Sequence, residues 1–127
     1  MNKSTLIYVS CLTLAIAVVL GAFGAHALRD SLSERQLEVW QTGVNYHFYH
    51  GIGMLMLTVL YLFKPNAWLK RSILLMFVGI VLFSGSLYLL TTMEWTFLGP
   101  VTPLGGVAFI LSWIAAIPGL KQSSKNA

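Results

Sequence analysis

Residues 4–28, STLIYVSCLTLAIAVVLGAFGAHAL, contain no Asp, Glu, Lys or Arg. A helix needs about 20 predominantly apolar residues to cross the ~30 Å hydrocarbon core of a bilayer, so this stretch is long enough to span it. Three further uncharged runs follow, at residues 39–63, 72–93 and 95–120. Such long runs predict helices rather than barrel strands, because a spanning segment must satisfy its own backbone hydrogen bonds and strands would show polar alternation.

The composition of the whole chain agrees with a protein solvated by lipid. Apolar residues make up 57% of the 127 residues and charged residues only 9%, which leaves too little polar surface for a soluble globule. The basic residues that give the formal charge of +4 lie between the apolar runs, so nucleic acid is not an expected partner. The single cysteine, Cys11, can form no intrachain disulfide, and we interpret it as a small buried packing residue.

The four runs predict an all-α fold, an antiparallel four-helix bundle in the membrane that forms one domain, residues 1–127. The expected spans are approximately residues 5–27, 43–63, 72–92 and 103–119. The first run also has features of a secretory signal, with Lys3 before it and Ala25-His26-Ala27 as the cleavage site. We favour a retained helix, because the run exceeds the ~7–15 residues of a signal core and its removal would leave an odd number of spans.

The charges between the runs predict the orientation of the chain. Four spans would place the N-terminus, the second connection and the C-terminus on one side. That side carries six basic residues, Lys3, Lys64, Lys70, Arg71, Lys121 and Lys125. The other side carries two basic residues, Arg29 and Arg35, and all the acidic residues, Asp30, Glu34, Glu38 and Glu94. The positive-inside rule therefore predicts both termini in the cytoplasm, with anionic lipid headgroups near Lys64, Lys70 and Arg71.

Local signals predict where two of the helices begin and end. Ser33 followed by Gln36 is a capping-box pattern, and it predicts one long second helix whose first turns lie at the outer interface. For the last helix, Thr102 is the predicted N-cap with Pro103 at the first helical position, and Pro118-Gly119 the predicted exit.

Small residues at four-residue spacing predict close helix packing. In span one they are Ala17, Gly21 and Ala25, and in span four they are Ala108, Ser112 and Ala116. We expect spans one and four to touch along these two ridges, although a contact between copies of the chain would use the same residues.

The residues that could carry chemistry are expected at one depth. His26 ends span one, His47 and His50 begin span two, and Glu38 and Glu94 flank spans on the same side. Ionisable groups at membrane depth are costly, so their default positions face the bundle interior, water or one another. Because His47 and His50 are three residues apart on a helix, both could lean toward one cavity near the outer boundary.

Three interpretations of this cluster remain open. In the favoured one, neutral histidines hydrogen-bond to hydroxyl or backbone groups and fix the packing of the helices. In the second, they form a protonatable or solute-binding site that titrates between about pH 5 and 8. In the third, they bind a divalent metal with Glu38 or Glu94, but the helical HExxH pair is absent and the spacing does not indicate a metal.

Four ordered motifs resemble those of a known family. They are Gly21-Ala22-Phe23-Gly24-Ala25-His26-Ala27-Leu28; Trp40-Gln41-Thr42 with Tyr46-His47 and His50; Phe83-Ser84-Gly85-Ser86-Leu87-Tyr88; and Thr102-Pro103-Leu104-Gly105-Gly106 with Trp113. The chain is similar over essentially its whole length to the domain-of-unknown-function family 423, small bacterial membrane proteins with eukaryotic relatives called transmembrane protein 256. The resemblance implies a four-helix membrane protein without an assigned activity. It adds Ser84 and Ser86 to the candidate polar site and gives no residue a role.

These observations predict a small multi-pass protein of the bacterial cell membrane with a noncatalytic role, as an accessory or scaffold subunit or as a homo-oligomer. The alternative is a small transporter or channel-like protein for protons, metal or a small solute that uses the outer histidines. An enzyme and a bound cofactor are not expected, because the sequence contains no nucleophile with an evident base and no cofactor motif.

Overall fold

The computed structural model describes residues 1–125, and its regular elements there are all helical. The elements are α1 Lys3–His26, α2 Glu34–Phe63, α3 Ala67–Gly79, a π-helical segment Ile80–Ser84, α4 Gly85–Thr92, a 3-10 turn Thr96–Leu98 and α5 Val101–Ser124. The helix is continuous from α3 through the π-helical segment to α4, so residues 1–125 fold into four long helices.

Three helices within the described residues are long and apolar enough to cross a membrane. They are Lys3–His26, Ala67–Thr92 and Thr96–Ser124. The remaining helix, α2, is the longest, with 30 residues, or about 45 Å at 1.5 Å per residue. Asn45, His47 and His50 make its first half more polar than the other three helices.

The predicted start of α2 is confirmed. Ser33 is its N-cap and forms both hydrogen bonds of the capping box with Gln36. The chain leaves α2 at Lys64, and Asn66 caps α3 by accepting a hydrogen bond from the Leu69 backbone N–H. The hairpin between α2 and α3 is therefore short and fixed at both ends.

Both predicted ends of the last helix are wrong, because Thr102 is not its N-cap and Pro118 is not its exit. Instead of spanning residues 103–119, α5 begins at Val101, with Pro100 at the N-cap, and continues through Pro118 to Ser124. Contacts from the α2–α3 hairpin stabilise the extra turn: the Lys64 ammonium donates to the Ser123 carbonyl, and the Asn66 amide donates to the Gly119 carbonyl. Proline removes one backbone donor, and these tertiary hydrogen bonds hold the helix beyond it.

Helix α1 packs on α2 and runs in the opposite direction. Near its start the Lys3 ammonium donates to the Leu62 carbonyl, in its first half the Ser10 and Thr58 hydroxyls pair at 3.2 Å, and further on the Trp40 indole donates to the Leu20 carbonyl. The buried face of α1 consists of Leu6, Ser10, Thr13, Ala17 and Gly24. Cys11 lies off this face and is exposed, so its predicted burial is wrong.

The predicted contact between the two ridges of small residues is also wrong. Helix α5 packs on α3 and the π-helical segment, while α1 packs on α2. The ridge of α5 is buried as expected, at Ala108, Ser112 and Ala116, but its partner is α3, whose Ser72 hydroxyl donates to the Ser112 carbonyl.

In α1 the predicted ridge only partly matches the buried face. Ala17 is buried, but Gly21 is half-buried and Ala25 is exposed. Gly21 faces Val44 and Phe48 of α2. The buried seam of α1 turns toward α2 instead, with Gly24 in place of Ala25, because α2 is its main neighbour.

Two apolar clusters lie at opposite ends of the packed helices. The larger joins all four long helices near the N-terminus of α1, through Leu6, Met54, Leu57, Leu69, Ile73, Met76 and Ala116. The smaller joins the C-terminal end of α1 to the start of α2, through Leu28, Trp40 and Val44. The histidines of α2 lie between these clusters.

Candidate functional site

The histidines of α2 face the middle of α1. Opposite α2, Leu20 meets Trp40, and Thr13 and Leu14 meet Gly51. The α2 residues between these two contacts therefore face the middle of α1, about 20 Å from the start of α2. His26 lies at the end of α1, so the three histidines are not level along the helices. Their depth in a membrane stays a prediction.

His47 is held by a tyrosine of α4. Its Nδ1 lies 2.9 Å from the Tyr88 hydroxyl, and its side chain is only 4% exposed. Tyr88 also packs on Trp40, with ring centroids 4.7 Å apart. This pair connects α2 with α4, and it satisfies one nitrogen of an imidazole that would be costly to bury without a partner.

His50 has different neighbours. Its Nδ1–H donates to the Tyr46 carbonyl at 2.8 Å, one turn earlier in α2. Its ring stacks on Phe109 of α5, with centroids 3.6 Å apart, and lies 5.8 Å from the Trp113 ring. Because His47 contacts α4 and His50 contacts α5, the two imidazoles do not converge on one cavity.

The two candidate serines join neighbouring elements. Ser84, at the end of the π-helical segment, donates to the Gly43 carbonyl of α2 at 2.7 Å. The Ser86 hydroxyl donates to the Phe83 carbonyl at 2.9 Å and also pairs with the Thr102 hydroxyl at the start of α5. Both hydroxyls are buried, and their hydrogen-bond partners lie in the nearby backbone or in a neighbouring helix.

The other candidate residues are not brought to the histidines of α2. His26 is exposed at the end of α1, and Glu38 is exposed and lies 3.6 Å from Arg35. Glu94 is exposed in the connection after α4, with a left-handed backbone φ of 55°. Among residues 1–125, no three His, Cys, Asp or Glu side chains are close enough to hold a metal ion.

A groove beside His47 is the most distinctive concave feature of this region. We call it the His47 groove; α1 forms one wall, α3 and the π-helical segment form the other, and His47 and Tyr88 lie at its floor. Its volume is about 680 Å³ when the space at its open side is included. The walls are apolar and are formed chiefly by Ile16, Leu20, Phe77, Ile80 and Val81.

Residues 20–106 match the family described as "Protein of unknown function (DUF423)". The chain belongs to this family. It is 48% identical over 103 residues to the UPF0382 membrane protein YwdK of Bacillus subtilis (strain 168), covering 80% of this chain and 84% of that protein. It is 38% identical over 104 residues to the UPF0382 inner membrane protein YgdD of Escherichia coli (strain K12), covering 82% and 79%. No solved structure matches the chain.

Membership of DUF423 confirms the resemblance seen in the sequence. The relatives are named membrane and inner membrane proteins, and the described part of the chain has three helices apolar enough to span a bilayer. This DUF423 protein is therefore a multi-pass protein of the bacterial cell membrane. The names of the relatives assign no activity.

Residues from different DUF423 motifs meet in the structure. Trp40 of the second motif packs on Tyr88 of the third, and Gly105 of the fourth lies against the backbone of Phe83. Sequence reasoning missed Tyr88 as the partner of His47 and missed the His47 groove. The four motifs already contained His47 and Tyr88. That these two residues meet could not be predicted, because the π-helical segment that orients α4 has no recognisable pattern in a single sequence.

Proposed function

We propose that this DUF423 protein is a noncatalytic accessory or scaffold protein of the cell membrane, built as four antiparallel spans with α2 as the second. The observation that carries the proposal is how its buried polar groups are used. Within residues 1–125, every fully buried side-chain nitrogen or oxygen has a hydrogen-bond partner. Some of these groups connect neighbouring helices, as Ser72, Ser84 and Ser10 do, and others bond within their own helix, as Thr91 does. This use supports a packing role over a polar path across the membrane.

The surface of the protein supports a role in assembly. Large apolar side chains are exposed along one face of α5, at Val107, Ile110, Leu111, Ile114 and Ile117, and along α1, at Leu12, Ile16, Val18 and Val19. Surfaces of this kind contact lipid tails or another membrane helix. A second copy of the chain or a larger membrane complex is the proposed partner.

Photocrosslinking tests the scaffold proposal in the membrane. A diazirine amino acid would replace Ile114 on α5 or Val18 on α1, and the adducts would be separated by mass. We expect a discrete protein adduct, either twice the mass of the chain or larger, from one of these faces. Lipid adducts alone at both positions would contradict a scaffold.

A flux measurement in proteoliposomes distinguishes the scaffold proposal from the transporter alternative. We expect proteoliposomes containing the protein to show the same proton and zinc leak as empty liposomes, because the histidines of α2 face different neighbours. A saturable flux that is lost in both His47→Ala and His50→Ala would favour the transporter alternative instead.

We further propose that both termini lie in the cytoplasm and that anionic lipid headgroups bind at that end. Hydrogen bonds from Lys3 to Leu62 and from Lys64 to Ser123 bring together the start of α1, the hairpin between α2 and α3, and the end of α5. These are the parts of the chain that carry the six basic residues. Lys64 already donates a hydrogen bond to the Ser123 carbonyl of α5. Lys70 and Arg71 are therefore more available than Lys64 for the predicted contact with lipid headgroups. The Arg71 guanidinium lies 4.8 Å from the ring of Trp68, a residue type favoured at the headgroup level.

Cysteine labelling tests this topology. On a Cys11→Ser background, Glu34→Cys and Gln122→Cys place one exposed thiol at each end of the molecule. We expect an impermeant maleimide added to intact cells to label position 34 only, and both positions to react after the cells are lysed. Labelling of position 122 but not position 34 in intact cells would reverse the proposed orientation.

A further inference from the structure

The end of the molecule that carries the basic residues has a groove between the first turn of α3 and the last turns of α5. We call it the Trp68 groove, and its lining residues are Trp68, Pro118, Lys121, Gln122 and Lys125. Its volume is about 690 Å³ when the space at its open side is included. The Lys125 backbone N–H bonds to the Lys121 carbonyl one turn earlier, so these two side chains share one face of α5.

The polar side chains of the Trp68 groove supply hydrogen-bond donors. The ammonium groups of Lys121 and Lys125 can donate but not accept. The same holds for the Trp68 indole N–H, and the Gln122 amide adds an NH₂ group. Within residues 1–125, none of these side-chain donors has a hydrogen-bond partner. The groove therefore suits an occupant that brings several acceptor oxygens.

The charge around the Trp68 groove favours an anion. Arg71 adds a third positive charge, with its guanidinium 4.8 Å from the Trp68 ring. The four acidic residues of the chain lie at the opposite end of the helices, between α1 and α2, in the first turns of α2 and after α4. A phosphate in the groove would therefore meet cations without a competing carboxylate. The ammonium of a zwitterionic headgroup would find no carboxylate partner there among residues 1–125.

An apolar strip continues from the Trp68 groove toward the middle of α5. Its residues follow one another at steps of four, three and four along one face of the helix, Val107, Leu111, Ile114 and Pro118. The first three are 52%, 46% and 55% exposed. The strip is about 16 Å long at 1.5 Å per residue, and the helix Thr96–Ser124 is apolar enough to span a membrane. This face is therefore open to a lipid tail.

We propose that the Trp68 groove binds one anionic glycerophospholipid, with its phosphate between Trp68, Lys121 and Lys125 and one acyl chain along the strip on α5. The inference rests on the proposed function, in which anionic headgroups gather at this end, and it narrows that attraction to one groove and one bound lipid. A free phosphate would leave the strip uncovered, and an uncharged lipid would leave the donors unused. The exposed face of α1 remains for a partner protein.

Native mass spectrometry of the detergent-released protein tests the proposal, because it counts bound lipids and measures their affinity. The probes are phosphatidylglycerol and phosphatidylethanolamine with identical acyl chains. We expect one phosphatidylglycerol to bind about tenfold more tightly than phosphatidylethanolamine. Lys121→Gln should weaken phosphatidylglycerol binding about fivefold, the factor for one lysine near an anionic lipid surface.

Lys3→Gln is the matched control. It removes one exposed positive charge from the same end of the molecule, but Lys3 does not line the Trp68 groove. We expect this variant to keep its affinity for phosphatidylglycerol within about twofold, because an exposed charge outside the groove is screened by salt. Circular dichroism would verify that both variants are folded.

Three results would overturn the proposal, each in a different way. Equal weakening by Lys121→Gln and Lys3→Gln would remove the groove but leave the general attraction to anionic headgroups. Equal affinity of the unchanged protein for phosphatidylglycerol and phosphatidylethanolamine would contradict that attraction as well. Displacement of the lipid by inorganic phosphate at equal concentration would show a plain anion site, to which the acyl chain contributes nothing.

Discussion

Replacing Gly105 by alanine should lower the free energy of unfolding by about 1–3 kcal/mol or more, as expected when an atom is forced into a packed core. The new Cβ would lie 2.3 Å from the Phe83 backbone nitrogen and 2.7 Å from its Cα. A side chain could rotate away from such a contact, but backbone cannot. The change should therefore push α5 away from the π-helical segment. The measurement is SDS titration of the detergent-solubilised protein, followed by circular dichroism.

The adjacent glycine is the control for this prediction. A Cβ at Gly106 would meet nothing closer than 3.9 Å. Gly106→Ala should therefore leave stability unchanged or raise it by about 0.5–1 kcal/mol, because alanine loses less backbone entropy than glycine in a helix. Equal destabilisation by the two substitutions would mean that α5 does not approach Phe83 as described.

Replacing Trp40 by alanine should be the most damaging single truncation, at about 3–5 kcal/mol, the usual range for a buried Trp. The Trp40 indole is 5% exposed, donates to the Leu20 carbonyl at 3.1 Å and packs on Tyr88. It therefore connects α1, α2 and α4. Trp40→Phe should cost less, since it loses the hydrogen bond but keeps an aromatic ring.

Trp95 provides the matched comparison on the same chain. Its side chain is 44% exposed in the connection after α4, so Trp95→Ala should change stability by no more than about 0.5 kcal/mol. The same SDS titration measures both variants. If the two alanine variants unfolded at the same midpoint, Trp40 would not hold the helices together.

The sequence predicted the helices well because their signals are local. Long uncharged runs identified the four helices, and Ser33 with Gln36 located the start of α2 correctly. The end of α5 was missed, since Pro118 is a local stop signal that hydrogen bonds from Lys64 and Asn66 override. Those bonds join residues more than 50 positions apart, and no local pattern reveals them.

The candidate site was predicted less well because it depends on how the helices are paired. Small residues in α1 and α5 are compatible with several partners, and only the folded chain shows that α1 packs on α2 and α5 on α3. The position of His47 opposite the middle of α1 follows from that pairing. Sequence reasoning counted residues from the end of the apolar run, whereas the first turns of α2 extend alongside the end of α1.

The π-helical segment Ile80–Ser84 sets the direction in which the side chains of α4 face. Its hydrogen bond from the Gly85 N–H to the Ile80 carbonyl spans five residues where an α-helix would span four. If the same residues formed a regular α-helix instead, everything after them would rotate by up to about 100°. Tyr88 would then turn away from His47, and Ser84 from Gly43. Point substitutions in this stretch act one contact at a time, but loss of the wide turn would separate α4 from all its partners together.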